Sequence, residues 1–409
     1  MAFSSTSTST TTTTTFFLLL LLHSSCLFSL VFAKSRHTTA HSHSHSHSHS
    51  LSHSNPRLHK AYLALQAWKQ VIYSDPKNFT TNWIGPSVCD YTGIYCATSL
   101  DKPHIQVVAG IDLNHGNIAG FLPNELGLLS DLALIHLNSN RFCGVLPDTL
   151  SNLTLLYELD LSNNRFVGKF PTVILSLPSL IYLDLRFNEF EGPLPPQLFN
   201  LGLDAIFVNN NRLYSVIPPT ITSVTASVVV FANNNFGGCL PEGISKSADH
   251  LEELVLINTN LSGCLPWDIG LLYKIKVLDV SFNNLVGSIP YSIAGLVHVE
   301  QLNLAHNKMT GAIPAGVCAL PNLQNFNASY NFFCEEEGLC LNLTSKGASF
   351  DDRRNCLPER PLQRRSKECD AALKHPVDCF EYHCETGYGA SAQNMVGVSA
   401  PAPSPSTRS

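Results

Sequence analysis

An α/β solenoid of about ten turns, horseshoe-shaped, with a helical N-terminal lid and a disulfide-rich C-terminal cap, is predicted by three observations. First, one phrase recurs nine times, from "IDLNHGNIAGFLP" to "LNLAHNKMTGAIP". Its closing prolines, Pro123, Pro147, Pro171, Pro195, Pro218, Pro241, Pro266, Pro290 and Pro314, set a period of 23 to 25 residues. Second, Leu, Ile, Val and Phe keep fixed offsets within the phrase, as one supersecondary unit stacked on its neighbours requires. Third, an Asn column (Asn140, Asn164, Asn188, Asn211, Asn234, Asn283, Asn307) runs through the copies, broken at Gly116 and Thr259. A carboxamide there can satisfy backbone groups that would otherwise be buried without partners.

The elements follow in chain order. Residues 1–33 hold the apolar run "FFLLLLLHSSCLFSLVFA" ending in Val31-Phe32-Ala33, which reads as a secretory signal peptide with cleavage after Ala33. Residues 34–56 are a His/Ser-rich linker; such a tract can bind metal, but it offers no fixed ligand geometry, so no metal or cofactor is assigned. Residues 57–106 form the lid: Leu58, Ala61, Tyr62, Leu65, Trp68 and Ile72 fall at helical spacing, Asp75-Pro76 stops the run, and Cys89 and Cys96 are expected to bond. Such a lid covers the apolar end a solenoid would expose.

Residues 107–331 are the repeats, with a period and pattern in the leucine-rich repeat range. The Gly-x-Leu/Ile-Pro segment resembles the plant type of this repeat, in which it forms a second small sheet. Cys239 and Cys264 occupy the same place in successive copies. Strands in neighbouring turns lie about 4.8 Å apart, within disulfide reach, so a bridge between them is expected; the alternative is two buried thiols. Residues 332–384 form a cap whose cysteines, counted with Cys318 at its edge, are Cys318, Cys334, Cys340, Cys356, Cys369, Cys379 and Cys384. Seven is odd, which leaves Cys143 and one cap cysteine without obvious partners. Cys143 is therefore a candidate for an intermolecular disulfide in a homodimer, the alternative being a buried thiol. Residues 385–409 are an Ala/Ser/Pro tail in which Pro401, Pro403 and Pro405 are candidate hydroxyprolines. Sequons stand at Asn78, Asn152, Asn260, Asn327 and Asn342.

The full chain has a net charge of −6, and residues 107–350 alone hold 20 Asp plus Glu against 10 Lys plus Arg. That acidic repeat domain disfavours nucleic acid. No stretch after the leader reaches the ~18 apolar residues of a membrane span, and no nucleophile elbow, HExxH or phosphate loop points to an enzyme. Strand positions flanking the inward residues place Asp112, Asp160, Asp184 and Asp279 in one column with Glu158 and Glu253 beside it. An acidic concave face would attract a basic peptide, although Asp is also ordinary at this position of the repeat. In turns five to seven the same columns hold Phe207, Val228, Val230, Val255 and Ile257. An apolar patch of that kind marks an interface unless the register drifts.

The segments "ALQAWKQVIYSDPKNFTTNWIGPSVCDYTGIYC", "NRFCGVLP", "NASYNFFCEEEGLC" and "RNCLPERPLQRRSKECDAALKHPVDC" resemble the N-terminal part of plant leucine-rich repeat extensins over about residues 57–384. The resemblance implies an extracellular, wall-associated, dimeric protein that recognises small basic cysteine-containing peptides, the rapid alkalinization factors, in wall integrity and expansion. Cell-wall polysaccharide is a further implied partner. Only "SAPAPSPSTRS" stands where the Ser-Pro-rich extensin blocks would follow. Rival readings are a shed receptor ectodomain, an inhibitor of polygalacturonases in defence, and a structural wall glycoprotein.

Overall fold

The computed structural model describes residues 55–381 apart from 345 and 346. The expected signal peptide, the His/Ser linker up to residue 54, Cys384 and residues 385–409 lie outside the described residues, while residues 55 and 56, expected in the linker, begin the lid helix. Twelve strands form the main sheet, from Ile94–Thr98 and Gln106–Asp112 through one short strand per turn to Ser349–Asp351. The first pair is antiparallel and every later pair is parallel. In most of the three-residue strands of this sheet the central side chain is buried and the flanking pair is more exposed: Leu159 between Glu158 and Asp160, Val229 between Val228 and Val230. This alternation puts one residue per turn into a continuous core and leaves two columns on the concave face.

Every turn then bends through a left-handed residue. Ser139, Asn163, Phe187, Asn210, Asn233, Asn258, Phe282, His306, Tyr330 and Arg354 all have φ between 53 and 61°, a conformation that costs a non-glycine residue ~1–2 kcal/mol. The Asn that follows stabilises it. Asn140 accepts from the Ile118 amide at 2.8 Å and donates to the Leu113 and Leu137 carbonyls at 2.8 and 3.0 Å, tying two turns together. Where the column lapses, Thr259 donates through Oγ1 to the Leu256 carbonyl and to Asn283. The ladder continues through Asn331 at the end of the expected repeats and on to Asn355, so another solenoid turn lies inside the segment expected to be cap.

The lid helix Pro56–Val71 starts at Asn55, whose side chain accepts from the amides of Arg57 and Leu58. It buries Trp68 against Trp83 and against Phe142 of the solenoid, with ring centroids 6.0 and 5.7 Å apart. The Cys89–Cys96 disulfide closes the lid. A second sheet of six strands follows, from Ile72–Ser74 to Arg212–Leu213. It stops where Ser215 stands in place of glycine with φ 93°; beyond it, among the described residues, are only two two-stranded pieces.

Two expected disulfide arrangements are corrected. Cys264 bonds Cys379, not Cys239, with Cα atoms 5.8 Å apart, and Cys239 is disulfide-bonded elsewhere. The shared column itself persists, since the Ser262 amide donates to the Gly238 carbonyl at 2.7 Å as the Val286 amide does to Gly263 one turn on, but Cys264 is taken by a cysteine from the cap. Cys379 arrives from behind: after the helix Ser366–Leu373 the chain returns along the broken second sheet. There a Cβ on Gly287, itself at φ 73°, would collide with the Cys379 sulfur. Cys143 was expected as a link between two copies, or else as a buried thiol. It is 2% exposed beneath Tyr73 and is already disulfide-bonded within this single chain, so the parity argument for a covalent dimer fails. In the cap Cys318 pairs with Cys340 and Cys356 with Cys369, and Cys334 carries a free thiol.

Candidate functional site: the concave sheet

The concave face is built from the outward columns of the main sheet and the left-handed residues that border it. In the Asp column one carboxylate oxygen has a backbone duty. Asp112, Asp160 and Asp279 each accept from the amide two residues on, at 2.9 Å. Asn303 and Asn327 do the same at 3.1 Å. Since an amide closes the turn equally well, the negative charge at the Asp positions is not required by the fold and remains for other use.

The acidic positions fare differently. Glu158 and Asp160 flank one strand, and Glu158 pairs at 2.9 Å with His136, a neighbour that sequence reasoning does not single out. Asp184, expected to face solvent, is instead fully buried beneath its surroundings. Burial first, and the nearby Asp160 charge after it, push its carboxyl up to about 7. The adjoining Tyr182 hydroxyl is pushed up to about 12, by burial and then by Asp184 and Asp160. Glu253 lies half-buried at the rim of the apolar stretch, and Asp279 accepts from Asn303 at 2.8 Å.

Phe207, Val228, Val230, Val255 and Ile257 are all half-buried on this face. The pairing is unbroken, Phe207 against Val230 against Val255, so their outward position comes from the regular pleat and not from a slipped register. Beyond them Phe282, His306 and Tyr330 stack in the left-handed column, with successive ring centroids 4.1 Å apart. Sequence reasoning missed this ridge; the signal was the residue before each ladder Asn, in "SFNN", "AHNK" and "SYNF". Of the sequons, Asn78, Asn152 and Asn260 are exposed, whereas Asn327 lies on the concave strand Asn325–Asn327. Asn342 has no described side chain.

The sequence matches the Leucine Rich Repeat family model at residues 155–177, 179–201 and 274–296. Over 361 residues it is 59% identical to leucine-rich repeat extensin-like protein 6 of Arabidopsis thaliana, a match covering 88% of this chain and 76% of that one. The chain belongs to the leucine-rich repeat extensin-like family. It is also 62% identical to leucine-rich repeat extensin-like protein 3 of the same plant over 81% of its own length, but it spans only 43% of that relative. Among solved structures, this extensin-like chain is similar to the Arabidopsis receptor kinase HAESA in complex with the peptide hormone IDA and the co-receptor SERK1. There the TM-score is 0.64 and the identity 27%, over 73% of this chain and 50% of that one. Among the described residues of this family member no helix is long and apolar enough to cross a membrane.

Proposed function

We propose that this protein is a secreted, wall-associated leucine-rich repeat extensin-like protein whose concave sheet binds a small basic, cysteine-containing peptide of the rapid alkalinization factor type. The observation that carries the reading is the arrangement of that face: carboxylates at Asp112, Glu158 and Asp160, whose charge the fold does not need, followed by the apolar stretch from Phe207 to Ile257. Charges of one sign steer a ligand of the other in, and a half-buried apolar patch supplies the area that holds it. The peptide hormone in the HAESA complex and the disulfide-rich cap are consistent with this role.

The test is calorimetric titration of residues 34–409 with a synthetic basic peptide of that class at two salt concentrations. The double variant E158Q/D160N should weaken binding about 10-fold at low salt and less at high salt, because exposed charge pairs are screened. Unchanged affinity in a variant that still folds removes the electrostatic basis of the reading.

A further inference from the structure

Asp184 is the exception in the acidic column, and the cause of its burial is specific. Its Oδ1 accepts from the Arg186 amide at 3.0 Å, the backbone duty of the column. Its Oδ2 lies 2.9 Å from Arg186 Nε, yet no well-directed hydrogen bond reaches that oxygen. The Arg186 guanidinium also lies over the Phe207 ring, 5.2 Å from its centroid, while Phe207 packs against Tyr182 at 5.7 Å. One turn along from Arg186, Asn209 is buried with Oδ1 likewise lacking a partner. A carboxylate and an aromatic ring thus hold one cation, with the Tyr182 ring packed behind Phe207 and an unused amide oxygen on the next turn. A carboxylate beside an aromatic face is the environment a guanidinium favours, through charge-assisted hydrogen bonds and stacking. The Arg186 side chain keeps 36% of its surface exposed, so it lies over the site as a cover and is not locked in the core.

We propose that Asp184, Tyr182 and Phe207 form a subsite for an arginine side chain of the bound peptide, and that Arg186 occupies this subsite in the ligand-free protein until the ligand's guanidinium replaces it. The inference rests on the peptide-binding reading above and adds to it a residue that opposes binding. An internal cation at a cation subsite lowers affinity by the stability of its own contacts, and a ligand must match those contacts to enter. Its imperfect hydrogen bonding makes Arg186 a replaceable occupant: a guanidinium arriving from outside is free of the short tether that sets the Arg186 approach. The ionisable groups facing the Asp184 carboxyl are Asp160 from the preceding strand and Tyr182 and Arg186 of its own turn. The subsite therefore acts when that carboxyl is ionised, at pH 8.

The experiment titrates tri-arginine amide at pH 8 and low salt into wild type, R186A, R186Q, D184N/R186A and the charge-matched control R212A. Arg212 is an exposed arginine paired with Glu189 on the second sheet. R186A and R186Q should bind at least 5-fold tighter than wild type, tri-lysine amide should gain less, and both D184N/R186A and R212A should stay at the wild-type level. Equal or weaker binding by a folded R186A or R186Q overturns the proposal, as does a gain that R212A reproduces or that survives D184N. The two readings fail separately. Loss of binding in E158Q/D160N with no gain in R186A sinks the subsite alone. A gain in R186A with no effect of E158Q/D160N sinks the acidic-face reading and leaves the subsite.

Discussion

The two halves of the solenoid carry the same main sheet but are braced differently along their second sheet. In the N-terminal half six strands run without a break from the lid to Leu213, and the described disulfide of the lid spans only seven residues. In the C-terminal half that sheet falls into two-stranded pieces, and three described disulfides, Cys264–Cys379, Cys318–Cys340 and Cys356–Cys369, lie there instead. The longest described covalent link thus falls where the backbone ladder is broken, although Cys143 in the six-stranded half is disulfide-bonded as well. A ladder tightens the folded state turn by turn, whereas a long-range disulfide acts mainly by restricting the unfolded chain.

The sharpest way to break this comparison is to cut the longest link. Cys264 and Cys379 are 115 residues apart in sequence, for which the chain-entropy estimate is about 5 kcal/mol, an upper figure that real disulfides seldom reach. C264S/C379S should lower the melting temperature by more than either D184N or S215G changes it, and should expose residues 374–381 to limited proteolysis. The lid and the six-stranded half should keep their amide protection. If protection is lost equally in both halves, the two are one cooperative unit and the contrast is only geometrical.

This contrast was only partly legible in the sequence. The repeat phrase set the strand positions, the Asn ladder and the core, because each is a local, periodic demand: an inward residue every turn and a carboxamide at each bend. Cys89–Cys96 was readable since its partners are close in a short loop. The Cys264 partner was not, because identical places in successive copies suggest a bridge between them, and only the folded chain brings Cys379 back from the cap to Cys264. Cys143 misled for a related reason: counting parity says nothing about burial under Tyr73. Asp184 looked like Asp112 and Asp160 in the alignment of copies, and its difference arises from Arg186 and Phe207 folding over it. The turn closed by Asn355 was hidden inside the expected cap, where the Leu-Pro phrase has faded, although Asn355 continues the ladder.

Asp184 adds a pH dependence to the N-terminal half. The Asp184 carboxyl in the N-terminal half stands at about 7 against an ordinary 3.8, so its ionised form is disfavoured in the folded state relative to the unfolded chain. By linkage its contribution to stability is fully present below pH ~4, declines as pH rises toward about 7, and is flat above that. D184N keeps the acceptor for the Arg186 amide and removes the ionisation. It should melt close to wild type at pH 4 and a few degrees above it at pH 8, since ~1 kcal/mol corresponds to roughly 1–2 °C in a folded chain of this length. A D184N curve parallel to wild type across that range would show that Arg186 already compensates the buried charge in full.

The smallest effect is expected at the boundary itself. Ser215 occupies the place of the glycines at 144, 168 and 192, all with φ between 81 and 90°, and is forced to φ 93°. A non-glycine residue there costs ~1–2 kcal/mol in the folded state, while glycine adds freedom to the unfolded chain worth roughly 0.4–1 kcal/mol. S215G should therefore stabilise by only a few tenths to about 1 kcal/mol. Its diagnostic value lies in where the gain appears. Across the break the second sheet persists only as a single bridge between Tyr214 and Asn235, with the Asn235 amide donating to the Leu213 carbonyl at 2.8 Å. If the serine is what ends the six-stranded sheet, S215G should slow hydrogen exchange at Asn235 and at the Tyr214 amide while leaving the lid unchanged. If exchange there stays as in wild type although the melting temperature rises, strain at Ser215 is relieved without restoring the strand. The break then belongs to the consecutive left-handed residues Gly237 and Gly238 on the far side.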